Sequence, residues 1–299
     1  MSSDAPRSHV EFAASLIQRA AQELILRIIQ ITDTHLSPTK PHFNSNWLPL
    51  VNWIADQKPD LIIHTGDFTV DGADFEEDLA FCRELIADLP APILCLPGNH
   101  DSGHLPASRQ PVNAQRLQRW RAHFGPDYWA RDFGQWRLIG LNSLILGDGS
   151  TDEEQQFLWL EQQLSESGGR PAAVFAHKPL FVDALDEGNT GLWGVPPRPR
   201  QRLADLFADY NVKLHASGHL HRAWSGQANG TNYVWAPSAG FVAHAINREL
   251  PGERIIGAVV HNLDDTVRSE IVEVDTLIHY VIDDVMHEVY PHNLNGNKT

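Results

Sequence analysis

Ile93-Leu94-Cys95-Leu96-Pro97-Gly98-Asn99-His100-Asp101 is the stretch on which the reading of the chain turns. The apolar run 91–96 stops at Pro97 and Gly98, so it reads as a buried strand that leaves the next side chains at its carboxyl end. In open α/β sheets that end carries the chemistry. Asn99 offers a neutral oxygen ligand, His100 a proton donor or acceptor, and Asp101 a carboxylate able to orient the imidazole. Taken alone, the same turn serves equally well as a helix cap.

The pattern recurs on either side. Residues 26–31, rich in Ile, read as a buried strand ending in Thr32-Asp33-Thr34-His35, and 61–63 as one ending in Thr65-Gly66-Asp67. Helical spacing at 47–57 and 74–87 fills the intervals, and this alternation implies an α/β sheet with parallel elements. After a helix at 115–124, runs at 128–133 and 136–141 suit a hairpin across Gly134. A helix at 152–164 leads to a strand at 172–175 ending in Ala176-His177. Residues 179–199, with four prolines and three glycines, read as a loop or lid. A helix at 202–210 leads to a strand at 212–216 ending in Ser217-Gly218-His219-Leu220-His221, and mainly strands follow to 274.

Composition narrows the classes. Of 299 residues, 42% are apolar and 20% charged, as in a soluble globular protein, and no apolar run is long enough to span a bilayer. The first residues lack the basic start and apolar block of a secretory signal, so a cytoplasmic chain is expected. The two cysteines, Cys82 and Cys95, read as buried thiols rather than a disulfide or metal pair. A net charge of −15 excludes a protein that tracks long nucleic acid, so an anionic substrate must be held locally. The expected organisation is an N-terminal helical extension over 1–24, a catalytic domain over 25–274, and a C-terminal extension over 275–299. The apolar part of that extension, 277–290, suits a homo-oligomer contact and 293–299 a polar tail.

Collected, the strand-end residues are Asp33, His35, Asp67, Asn99, His100, His177, His219 and His221. Any one of these histidines read singly is more ordinary as a core or surface residue. Five strand ends in series change that reading, because carboxylate, imidazole and amide oxygen together suit borderline divalent metals such as Mn, Fe, Zn or Co.

On Asp33-Thr34-His35, Gly66-Asp67, Gly98-Asn99-His100-Asp101, His177 and Gly218-His219-Leu220-His221, the sequence resembles the calcineurin-like metallophosphoesterases over residues 25–240. The resemblance implies a four-layer α/β/β/α sandwich with a dinuclear metal site, two divalent or mixed-valence ions such as Mn, Fe or Zn, at the strand ends. It implies that Asp33, His35 and His221 hold one metal, that Asn99, His177 and His219 hold the other, and that Asp67 bridges them. It also implies substrate contacts from Asn99, His100 and His221, with His100 steadying phosphoryl oxygens or protonating the leaving alkoxide and Asp101 orienting it. Two such ions with two carboxylates and a hydroxide carry a charge of about +1, which draws a phosphate ester to an acidic protein. The hydroxide forms at neutral pH because metal binding lowers the pKa of water toward about 7.

The pattern Ile-Thr-Asp-Thr-His-Leu further resembles class III cyclic-nucleotide phosphodiesterases and glycerophosphodiesterases. The expected function is hydrolysis of a small-molecule phosphodiester. The alternatives are a phosphomonoesterase or protein phosphatase on the same site, or a metal-dependent binding protein without turnover. Several nearby residues stay open: Asp71 and Asp74 as supporting or capping groups, His64 on the far face of its strand, and His104 and Asn113 as substrate contacts or solvated loop residues. Trp193 suits a substrate cover or a loop anchor. Lys178 suits a phosphate contact or an exposed charge, at a position where related sequences often carry a second His.

Overall fold

Isoleucines of the first strand, β1 (Leu26–Ile31), face two different cores. Ile29 and Ile31 pack with Leu50, Ile54, Leu79 and Cys82, whereas Ile28 packs with Leu138, Phe175 and Leu214 on the other side. Because successive side chains of a strand point to opposite faces, a strand covered on both faces is apolar throughout. The computed structural model describes residues 25–244 and 248–291; the expected N-terminal extension over 1–24 and the polar tail over 293–299 lie outside them.

The first half continues through α1 (Trp47–Gln57), β2 (Leu61–His64), α2 (Glu76–Leu85), β3 (Ile93–Cys95), the single turn α3 (Asn99–Ser102) and α4 (Ala114–Phe124). The second half runs through β4 (Trp129–Phe133), β5 (Trp136–Leu141), α5 (Thr151–Ser165), β6 (Ala172–Ala176), α6 (Pro197–Asp209), β7 (Val212–Ser217), β8 (Trp224–Ala228) and β9 (Thr231–Trp235). It closes with β10 (Phe241–Val242), β11 (Gly257–Leu263), β12 (Val267–Glu273), β13 (Tyr280–Val281) and α7 (Ile282–Val289). A five-stranded sheet has the order β12-β11-β1-β2-β3, a six-stranded sheet the order β4-β5-β6-β7-β9-β8, and β10 and β13 form a two-stranded pair. Neighbours from β1 to β3 and from β5 through β6 and β7 to β9 are parallel, and the hairpin β4–β5 crosses Gly134 as its sequence suggests.

Helices α1, α2 and α4 cover the outer face of the first sheet through Leu50, Leu79 and Trp120. Helices α5 and α6 cover the second through Phe157, Leu160 and Phe207. The inner faces meet through Ile28, Ile63, Phe175 and Leu214, completing the four-layer α/β/β/α sandwich. At about 1.5–3 kcal/mol per fully buried large side chain, this inner layer fixes how the two sets of strand ends face each other.

Two segments depart from the sequence pattern. Helix α6 begins at Pro197 rather than near 202, since proline is well tolerated in a first helical turn. The loop before it is pinned by Glu187, whose carboxylate accepts from Arg200 and from the backbone N–H groups of Val182 and Asp183. The C-terminal segment folds back on its own chain: β13 pairs with β10, and Asn46 brackets Ile278 with bonds of 2.7 and 3.0 Å. Leu277, Ile282 and Val289, which suggest an oligomer contact in the sequence, are buried there, and Ile278 stays exposed.

Candidate active site

Strand ends from both sheets converge, and the backbone there is strained. Of seven non-glycine residues with positive φ among those described, five are Asp33, His35, Asp67, His219 and His221. Left-handed backbone is rare outside glycine and clusters where function demands it. The motif glycines have a matching cause. A Cβ on Gly98 would lie 2.1 Å from Asp67 Oδ1, and one on Gly218 would lie 2.0 Å from Thr32 Oγ1 and 2.6 Å from Asp33 Oδ2.

Each carboxylate divides its oxygens. Asp33 Oδ2 accepts from Thr32 Oγ1 at 2.7 Å and from the His219 N–H at 3.0 Å. Its Oδ1 is buried without a hydrogen-bond donor, 3.3 Å from His221 Nε2 and 3.9 Å from His35 Nε2. Asp67 Oδ1 accepts from the His100 N–H at 2.8 Å, while Oδ2 lies 3.4 Å from His177 Nε2 and 3.9 Å from His35 Nε2.

The imidazoles divide their nitrogens likewise. His177 Nδ1 donates to Thr65 O at 2.8 Å, His221 Nδ1 to Phe241 O at 2.6 Å, and His219 Nε2 to Leu192 O at 2.9 Å. The other nitrogens turn inward, with His177 Nε2 3.1 Å from both Asn99 Oδ1 and His219 Nδ1. His35 Nδ1 lies 3.0 Å from Tyr290 Oη. His100 Nδ1 rests on Val70 O at 3.0 Å, leaving Nε2 as its free nitrogen.

Donor atoms of Asp33, His35 and His221 lie within 4.8 Å of one another, as do those of Asp67, His177 and His219, and those of His35, Asp67 and His100. These sets, with the unpartnered Asp33 Oδ1 between two imidazoles, fit divalent cations. Electrostatics agree. Burial alone would raise the Asp33 carboxyl, yet His221 and His177 hold it well below the usual range; Asp67 is held down by His177 and His100 against the same burial. Burial drives the His219 imidazolium down to about 3 and His35 well below its ordinary value, which keeps both neutral with lone pairs available. His177 runs the other way: burial lowers it, but Asp67 and Asp33 lift it to about 9.

A cavity of about 680 Å³ opens beside the cluster, lined by Asn99, His100, His104, Trp193, His219 and Tyr290 among others. The structure thus brings together Asp33, His35, Asp67, Asn99, His100, His177, His219 and His221.

Asp101 differs from its expected role. It does not orient His100; its buried carboxylate accepts from the N–H groups of Gly98, Phe68 and Thr69 and from Thr69 Oγ1. The one-turn helix α3 directs it back under the loop, and burial beside Asp67 raises it to about 7. Lys178 is neither exposed nor a lining residue of the cavity: it is fully buried, Nζ has no hydrogen-bond partner among the described residues, and burial lowers it to about 7.

His64 stays outside the cluster, bonded to Thr34 Oγ1 at 3.0 Å and stacked on Phe68. Asn113 caps α4, Asp71 pairs with Lys40, and Asp74 pairs with Arg116. His104 lines the cavity and rests Nε2 on Leu192 O at 3.2 Å, and Trp193 both lines the cavity and packs against Val182, Leu220, Trp235 and Leu250. Tyr290 and the Leu192 carbonyl are additions that no local motif announces.

Fold and donor set define a metallohydrolase class, and the chain belongs to the calcineurin-like phosphoesterase family, whose profile matches residues 26–223. It is therefore a hydrolytic enzyme of a family built around a dinuclear divalent metal site. It is 31% identical over 219 residues to the Arcobacter nitrofigilis protein named "Probable glycerophosphodiester phosphodiesterase GpdQ", covering 65% of this chain and 71% of that one. It is 29% identical to the human serine/threonine-protein phosphatase CPPED1, covering 56% of this chain and 53%, about half, of that relative's length. With the 3',5'-cyclic adenosine monophosphate phosphodiesterase CpdA of Escherichia coli K12 it shares 29% identity, covering 82% of this chain and 93% of that one. Among the described residues no helix is long and apolar enough to cross a membrane.

Proposed function

We propose that the protein is a phosphodiesterase acting on a small molecule, of the cyclic-nucleotide or glycerophosphodiester kind. The observation that carries this reading is the charge balance of the cavity. Its lining holds two cationic side chains, Lys40 and Arg109, and two carboxylates, Asp71 and Asp74, with Lys40 already committed to Asp71. Such a wall suits a singly charged diester better than a doubly charged monoester. Phe75, Trp193 and Val289 add apolar surface for a second ester arm. The likeness to GpdQ and CpdA supports the same class.

In this reading Asp33, His35 and His221 would hold one divalent ion and Asn99, His177 and His219 the second, with Asp67 shared between them; Mn, Fe and Zn would suit the donors. When bound, the pair supplies Lewis acidity toward phosphoryl oxygen and hydroxide at neutral pH. Asn99 and His100 face the substrate. His100 in its charged form donates the Nε2 proton to the departing alkoxide oxygen, and Val70 O then holds the neutral ring by its Nδ1–H. The free, buried thiols of Cys82 and Cys95 accord with the cytoplasmic setting included in this reading.

Mn-loaded protein should cleave bis(p-nitrophenyl) phosphate faster than p-nitrophenyl phosphate. The reverse ranking would favour the phosphatase reading that the likeness to CPPED1 supports, and two bound ions without turnover would favour a binding protein.

A further inference from the structure

His177, His219 and His221 each rest the outer nitrogen on a backbone carbonyl, at Thr65, Leu192 and Phe241. Those acceptors are main-chain groups, present whatever side chain stands there. His35 instead rests on a side chain, Tyr290 Oη at 3.0 Å, contributed 255 residues later. The Tyr290 ring stands edge-on to His35 at 6.4 Å between centroids, and 4.8 Å from the ring of His100. It also lines the cavity.

The segment that delivers Tyr290 is held at several points. Val289 O accepts from Lys40 Nζ at 2.6 Å, Glu288 meets His42 at 2.9 Å, and Ser45 Oγ lies 2.6 Å from Tyr280 Oη. Phe43, Val70, Phe241, Ile282 and Val289 form an apolar cluster of their own beneath it. Nothing in this arrangement requires a hydroxyl at 290, since a phenyl ring would fill the same space.

We propose that Tyr290 is a positioning residue for the metal centre: its hydroxyl accepts the His35 Nδ1–H, so docking of the C-terminal segment decides how His35 presents Nε2 to Asp33 and Asp67. The inference rests on the metal reading of the site given above. A ligating imidazole is oriented and made more basic by the acceptor on its other nitrogen, and loss of such a partner costs about 10–100-fold in metal affinity. The other imidazoles rest on main-chain carbonyls that no side-chain substitution removes, whereas the partner of His35 is a hydroxyl that one substitution takes away.

The test is Mn²⁺ titration by calorimetry on the full chain and on Tyr290→Phe, with proton NMR of the Zn-loaded forms to observe imidazole N–H groups. One of two Mn²⁺ sites should weaken about 10–100-fold, and one hydrogen-bonded N–H signal should shift or vanish while the rest stay. Tyr290→Leu, which also removes the hydroxyl, should weaken that site at least as much, and a thermal melt of each full-length variant checks that it folds. Unchanged Mn²⁺ affinity and unchanged N–H signals in Tyr290→Phe would overturn the inference alone. A wild-type chain that takes up no Mn²⁺ would overturn the proposed function and this inference with it.

Discussion

The sheet built on β1, β2 and β3 brings mainly oxygen to the junction, through Asp33, Asp67 and Asn99, with His35 as its one imidazole in the cluster apart from His100. The sheet built on β6 and β7 brings only imidazoles, His177, His219 and His221. Neither sheet carries a complete donor set, so the site exists only where inter-sheet packing brings the two kinds of ligand within reach. Strain is shared: two of the left-handed residues follow β7, and three follow β1 and β2. At roughly 1–2 kcal/mol each, five such residues cost a sizeable part of a typical net stability of about 5–15 kcal/mol. The inner apolar layer offsets that cost, and any ion bound only by the folded state would offset it further.

The sharpest way to break this division is to remove the oxygen donor placed against both ligand sets. Asp67→Ala should lower diester turnover by about 10³-fold or more and abolish tight Mn²⁺ uptake, read by steady-state kinetics and metal analysis. Full metal occupancy in that variant would refute the bridging assignment. If His100 serves the substrate rather than the ions, as proposed, His100→Ala should lower kcat about 10²–10³-fold with Mn²⁺ content unchanged. If metal content fell in parallel, His100 would belong with the ligands.

Smaller effects test how the sheets join. Gly218→Ala forces a Cβ against Thr32 and Asp33 and should cost about 1–3 kcal/mol, seen as a lowered melting temperature together with weaker metal binding. An unchanged melting temperature would mean the two loops have slack. Away from the site, burial holds His215 at about 4 and His261 at about 3. Their folded-state pKa values lie below the ordinary 6.5, so the unfolded chain binds more protons between those limits and stability falls as pH drops from about 6.5 toward 4. Each contributes on the order of 1–2 kcal/mol of loss by pH 5, and His215→Leu should flatten the melting temperature against pH.

Both sheets' strand ends were legible because each pairs an apolar run with an abrupt polar turn, and hydrophobic periodicity placed α1 to the residue. Side-chain direction was less legible. Asp101 adjoins His100 in sequence, yet one helical turn aims it at the 68–69 backbone instead. Lys178 follows His177 in the bend after β6 and is carried into the interior rather than into the cavity. Tyr290 carried no signal in the sequence because its contact with His35 is wholly tertiary; an apolar segment reads the same whether it docks on a second copy or on its own chain.

Anomalous diffraction from Mn-loaded crystals tests the central claim most directly. The account predicts two Mn²⁺ peaks, one on each side of the Asp67 carboxylate, one contacted by Asp33, His35 and His221 and the other by Asn99, His177 and His219. A single peak, or peaks away from Asp67, would contradict it.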